Sequence, residues 1–159
     1  MIPGTELLAH PRAYLFWQGK FAEQKLAPMY AHNDMARVRR VLDVGCGEGV
    51  LTHRWAVALA PARVVGIDLD DPLLAAEWAT RPAPNLTYIA QRAEALPFGA
   101  GEFDLACAIE VLEHVPDPDH TLAEMARCAA RHVLVSVPRE PLCESSATYS
   151  PGSRPSSSF

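Results

Sequence analysis

Three groups of residues in this chain have the types and spacing to do chemistry. The first is the run Val41-Leu-Asp-Val-Gly-Cys-Gly-Glu-Gly49, in which Gly45, Gly47 and Gly49 alternate behind Asp43 and enclose Cys46 and Glu48. Glycine permits positive φ and lets a ligand approach the main chain closely. A turn of this kind ahead of a helix presents free N–H groups, so the run reads as the cradle of a nucleotide-like cofactor. The second group is Asp68, which closes the apolar run Arg63-Val-Val-Gly-Ile-Asp68 and lies 23 residues after Gly45. An acid at that place in a nucleotide-binding fold accepts hydrogens from ribose hydroxyls. The third group is Glu110, Glu113 and His114, just past the apolar run Phe103–Ile109. An imidazole titrates near neutrality and suits a general base. Carboxylates with an imidazole also suit Mg, Mn or Zn, and a plain structural role, capping or decorating a short helix before Pro116, is the third reading.

The spacing discriminates between cofactors. A dinucleotide fingerprint has the form G-x-G-x-x-G/A, but the sixth position here is Val50 and the third glycine falls one residue early. Asp43 and Glu48 also place negative charge by the loop, where a pyrophosphate is disfavoured. A ligand with a cationic end fits better, and S-adenosylmethionine carries an ammonium and a sulfonium but no phosphate. A nicotinamide cofactor is therefore a poor alternative.

These groups need a scaffold, and the chain supplies an alternation of strand and helix. The expected strands are Val41–Val44, Val64–Asp68, Asn85–Ala90, Phe103–Ile109 and His132–Val137, the last ended by Pro138. The expected helices are Val50–Leu59, Pro72–Thr80 and His120–Arg131, the second with proline at its start, where a missing N–H does no harm. Asp70 and Asp71 are placed to cap that helix. Such alternation implies an α/β, Rossmann-like doubly wound parallel sheet, and right-handed crossovers with the first loop at the switch point give strand order 3-2-1-4-5. Helical character with Tyr14, Phe16, Trp17 and Phe21 over 14–37 reads as a helix packed on this domain, or alternatively as a lid. Residues 1–37 are thus an N-terminal arm with helices, and 38–141 form the cofactor-binding domain.

The motifs at 41–49, 64–70, 93–98, 103–115 and 133–138 resemble the successive motifs of class I S-adenosylmethionine-dependent methyltransferases. The group that includes ubiquinone- and menaquinone-pathway enzymes is the most similar in flavour. The resemblance rests on Val-Leu-Asp-Val-Gly-Cys-Gly-Glu-Gly, on Ala93-Glu-Ala-Leu-Pro-Phe98 and on Phe103-Asp-Leu with Glu110-Val-Leu-Glu-His114-Val. It implies methyl transfer to a small organic molecule, with O- or C-methylation favoured. Asp43 would face the cofactor ammonium, Asp68 the ribose, Leu69 the adenine, and Ile109 the methionine portion. The family usually has an acid before Ala-Glu-x-Leu-Pro-Phe that contacts the adenine amino group, but here the residue is Arg92, which cannot accept a hydrogen bond. Glu94 or the backbone around Ala93 would replace the contact, or affinity would fall. His114 and Glu110 are the candidate catalytic residues, and a metal on Glu110, Glu113 and His114 is a minor alternative. Relatives continue past the fifth strand through an antiparallel strand pair that this chain is expected to lack. Residues 142–159 instead read as a disordered tail, since seven of the last fifteen residues are serine and such composition cannot offset its ordering entropy. This looks like a truncated or alternative ending. A homodimer or a protein partner would then cover the edge of the fifth strand, and a weakly active or inactive cofactor-binding partner protein is the rival reading.

The bulk numbers agree with one domain. The chain has 159 residues, 49% hydrophobic and 21% charged, which suits a single core. Net charge is −5, from 14 basic and 19 acidic residues, which argues against nucleic acid as the main partner. No run reaches the ~18 apolar residues of a membrane span, and no basic segment followed by an apolar core marks a secretory signal. The cysteines at 46, 107, 128 and 143 form no C-x-x-C pair, which fits a reducing, cytoplasmic setting.

Overall fold

The computed structural model of the chain describes residues 37–137. The arm and helices expected before Arg37 and the tail expected over 142–159 lie outside the described residues. Within them the element order is β1 (Arg40–Val44), α1 (Val50–Ala58), β2 (Arg63–Asp68), α2 (Pro72–Ala79), β3 (Leu86–Ala90), β4 (Phe103–Ile109), α3 (Pro118–Cys128) and β5 (Ala129–Ser136). All four strand pairings are parallel and the sheet order is β3-β2-β1-β4-β5, as the alternation of elements requires.

The central strands are apolar because both their faces are covered, which is the rule for parallel sheets. On β1, Val41 packs with Trp55 and Ala56 of α1 and with Val38, Val64 and Leu105. Its neighbours Leu42 and Val44 point the other way, into a cluster with Val65, Ile67, Phe103, Met125 and Cys128. The period of two along the strand thus divides the core into two layers. Helix α1 closes one and α3 the other.

Two of the helices begin in the same manner. Asp71 caps α2 by accepting from Leu73 N at 2.8 Å, with Pro72 in the first turn. Asp117 caps α3 by accepting from His120 N at 2.9 Å, with Pro118 in the first turn. Helix α1 instead starts from Gly49 in the left-handed region at φ 78° with no side-chain cap.

The boundaries of the last helix and the last strand differ from the sequence expectation. The helix expected over His120–Arg131 begins two residues earlier, at Pro118, and ends at Cys128; Ala129, Ala130 and Arg131 belong to β5. These residues favour a helix locally, but pairing of Ala129 with Phe103 across the sheet outweighs that preference. The span around Glu113 and His114 is a turn rather than a short helix, closed by His114 N donating to Val111 O at 2.9 Å.

Candidate cofactor and acceptor site

Strands β1 and β4 lie side by side at the centre, and their connections leave the sheet in opposite directions. In open α/β sheets the crevice at this reversal, beyond the carboxyl ends of the strands, is where ligands bind. A cavity of about 320 Å³ lies there. Its walls come from the segment after each of the first four strands: Gly45 after β1, Asp68 and Leu69 at the end of β2, Gln91 to Glu94 after β3, and Glu110, Val111 and His114 to Pro116 after β4.

The glycine loop forms one side. Gly45, Gly47 and Gly49 have φ of 71°, 53° and 78°, so glycine is demanded by conformation at each. Gly45 is demanded by space as well, because a Cβ there would lie 2.5 Å from Val111 Cγ2. Gly45 N and Cys46 N both donate to Ile67 O at 2.9 Å, which ties the loop to the end of β2. Gly47 N donates to Asp68 Oδ2 at 2.6 Å, and Leu69 N to Asp68 Oδ1 at 2.7 Å. Both oxygens of Asp68 are therefore fixed by backbone donors, and the carboxylate stands on the cavity wall in one orientation. On the same loop Glu48 Oε2 is buried with no hydrogen-bond partner among the described residues. An uncompensated carboxylate oxygen makes this loop hostile to a phosphate and receptive to a cation.

Asp43 occupies a different place. It is buried behind the loop, accepts from Thr52 Oγ1 at 2.6 Å, and sits 3.7 Å from Cys107 Sγ. Burial pushes its carboxyl up to about 7, against the lowering effect of the bonds from Thr52 and Cys107. Asp43 does not line the cavity, and neither do Cys46, Gly47, Gly49 or Ile109. Ile109 packs instead against the α1-side core. Of the candidate residues, Gly45, Asp68, Leu69, Ala93, Glu94, Glu110 and His114 converge on the cavity.

The segment after β3 forms the opposite wall. Arg92 Nη2 donates to Glu94 Oε1 at 3.0 Å. Glu94's own backbone N–H and the Arg92 guanidinium hold its carboxyl below the usual carboxylate range. Gln91 N donates to Asp68 O at 2.7 Å, and Gln91 Nε2 to Ala95 O at 2.6 Å. Helix α3 grips this segment from outside: Arg127 donates to Leu96 O and Phe98 O, Glu124 accepts from Leu96 N, and His120 Nε2 lies 3.0 Å from Glu94 O.

Glu110 has φ 60°, the one non-glycine residue with positive φ among those described. Its N–H donates to Ser136 O at 2.8 Å, so sheet pairing holds the strained residue at the cavity mouth, a pattern typical of functional positions. The His114 side chain is 78% exposed, with Nε2 4.0 Å from Glu113 Oε1, which leaves the imidazole open to an incoming molecule. Among the described residues no three His, Cys, Asp or Glu side chains converge in a way that holds a metal ion.

Several partners of these residues carry no sequence signal for their role: Val111 against Gly45, Thr52 beneath Asp43, and Trp78 and Tyr88, which donate to the loop carbonyls of Gly47 and Gly49, are recognisable as partners only once the sheet is assembled.

Comparison with known proteins agrees with this geometry. Residues 42–136 match the family described as methyltransferase domain. A ubiquinone biosynthesis O-methyltransferase from Methylococcus capsulatus is 43% identical over 102 residues, which is 62% of this chain and 42% of the relative. A tRNA U34 carboxymethyltransferase from Alcanivorax borkumensis is 37% identical over 125 residues, 75% of this chain and 37% of the relative. Among solved structures, an S-adenosylmethionine-dependent methyltransferase from Mesorhizobium loti superposes with a TM-score of 0.50 at 30% identity, covering 57% of this chain and 41% of that one. The chain spans less than half the length of the curated relatives it matches.

Proposed function

Since this chain belongs to the class I S-adenosylmethionine-dependent methyltransferase family, we propose that it binds S-adenosylmethionine in the cavity above the glycine loop and methylates a small organic molecule, at oxygen or carbon. The observation that carries this reading is Asp68. Its carboxylate is held at both oxygens by backbone N–H groups and stands on the cavity wall. Each oxygen keeps a lone pair to accept from a vicinal diol. Leu69, half exposed beside it, offers an apolar surface for an aromatic base, and Ala93 and Glu94 close the other side of the same cavity.

When bound, the cofactor supplies an activated methyl group on a sulfonium. The remaining work is positioning, since in-line alignment is worth far more than added chemical activation for such a group. The glycine loop bounds the methionine end with the Gly45 main chain. Asp43 acts from behind by holding Thr52 of α1 against the sheet. Glu110 and His114 flank the mouth through which the acceptor enters. His114 removes the proton of an acceptor hydroxyl that is not already ionised, and Glu110 orients that acceptor. The acidic balance of the chain, 19 acidic against 14 basic residues, favours a small molecule over tRNA as the acceptor.

Titration calorimetry with S-adenosylmethionine and S-adenosylhomocysteine tests the reading. Micromolar affinity for the product supports it, and absence of heat with folded protein overturns it. Acceptor-dependent formation of S-adenosylhomocysteine over a panel of phenols and catechols then separates an enzyme from a protein that holds the cofactor without turnover. Arg92, on the cavity wall where an acid is usual, is the feature that favours the latter.

A further inference from the structure

Against the glycine loop stand two aromatic residues that the chemistry above does not use. Trp78 of α2 donates from Nε1 to Gly47 O at 2.7 Å, and Tyr88 of β3 donates from its hydroxyl to Gly49 O at 3.0 Å. The two rings stack, with centroids 5.3 Å apart and planes within 4°. Room for Tyr88 is built into the sheet. Its partner in register on β2 is Gly66, where a Cβ would lie 3.0 Å from Tyr88 Cδ1 and 2.9 Å from Thr52 Cγ2. At Gly49 a Cβ would meet the Tyr88 hydroxyl at 2.5 Å. Two glycines thus make space for one ring, and the ring in turn fills the space beneath the loop.

The geometry fixes the peptide on either side of Gly47. Its N–H is tied to Asp68 and its carbonyl to Trp78. Because a trans peptide points its N–H opposite to its C=O, the bond from Trp78 turns the Glu48 N–H away from the aromatic pair. Tyr88 sets the Gly49 carbonyl at the start of α1 in the same way. The Tyr88 hydroxyl, raised by burial to about 12, stays protonated and can donate throughout the neutral range.

We propose that Trp78 and Tyr88 are positioning residues for the cofactor: a stacked clamp that holds Gly47–Gly49, and through Gly47 N the cavity-wall carboxylate of Asp68, in its ligand-ready shape before binding. Three alternating positive-φ glycines have many alternative conformations, and a loop that must order on binding weakens affinity. The clamp removes that loss in advance. This inference rests on the cofactor reading above.

The test uses the full 159-residue chain. Trp78→Phe and Tyr88→Phe keep the stacked rings and delete one donor each. Each variant is expected to bind S-adenosylhomocysteine about fivefold more weakly, the usual worth of one hydrogen bond, and the double variant less than the product of the two, since both act on one loop. Amide exchange at Glu48 and Val50 in the ligand-free variants is expected to be faster. In turnover, KM for the cofactor rises while kcat holds. Asn85→Ala is the control for general destabilisation, because Asn85 Nδ2 bonds Ala56 O and Ala62 O, away from the cavity. It is expected to lower the melting temperature and leave affinity unchanged. If wild type binds the ligand and both aromatic variants bind it within twofold, or if Asn85→Ala weakens binding equally, the clamp is overturned and the cofactor reading stands. If wild type itself does not bind, the cofactor reading fails and the clamp's role falls with it.

Discussion

Gly45 and Gly47 have similar backbone angles and different neighbourhoods, and the difference is measurable. A methyl at Gly47 meets nothing within 4 Å, whereas one at Gly45 would collide with Val111. Gly47→Ala is therefore expected to cost about 1 kcal/mol, the left-handed backbone penalty alone. Gly45→Ala adds a packing clash and is expected to cost about 3 kcal/mol, partly recovered by Val111→Ala. Chemical denaturation of the three variants checks the order. Asp43 supplies a second test at this scale. Its carboxyl titrates near 7 in the folded protein against an ordinary value of 3.8, so between those values the folded state binds the extra proton. Stability from this group is present at low pH and is lost as pH rises from about 4 to about 7. Asp43→Asn keeps the shape and has no proton to lose. The difference between wild type and variant, followed by denaturation from pH 4 to 8, should grow with pH and level off above about 7. A flat difference would mean that Asp43 is not desolvated. The alternating glycines and the acid of Asp68 were legible in the sequence because local backbone conformation and strand position demand those residue types. Val111, Thr52, Trp78 and Tyr88 were not, since their partners lie 9 to 66 positions away with no periodicity to mark them.

Helix α3 contributes no residue to the cavity wall but holds part of that wall from behind. Through His120, Glu124 and Arg127 it holds the segment from Glu94 to Phe98 against the domain. Hydrogen bonding to Arg127 holds the Glu124 carboxyl down to about 2, so this tie is fully present above the ordinary value of 4.5 and is lost as pH falls toward 2. Arg127→Ala removes donors to Leu96 O and Phe98 O together. It is expected to speed amide exchange over residues 92–98, to leave the β1 amides protected, and to weaken cofactor binding through the loosened wall. Unchanged exchange in that segment would show that α3 is only a cover for the core. The extent of α3 also shows where sequence pattern gives out. Its expected start at His120 passed over the cap at Asp117-Pro118, and its expected end overran. Ala129-Ala130-Arg131 would extend a helix in isolation, and only the neighbouring β4 draws them into the sheet.

Over the described residues the chain forms a switch-point sheet whose strand order could be read from the alternation of elements, because a parallel sheet needs a long crossover between successive strands. The same order brings four separate connections to one crevice, so residues from Gly45 to Pro116 share a wall although no local pattern links them. No helix among the described residues is long and apolar enough to cross a membrane. The two core layers also distribute the thiols. Cys107 is sealed in the α1-side layer and Cys128 in the α3-side layer, both at 0% exposure. Burial raises both above the ordinary cysteine range, and a protonated, inaccessible sulfur is inert to alkylation. The fold therefore comes with a pair of built-in clocks, one per face. Pulse labelling with iodoacetamide along a denaturant series, resolved by peptide mass, should modify the two sulfurs in step if the domain opens as a unit. A lag of one behind the other would reveal which half of the protein lets go first.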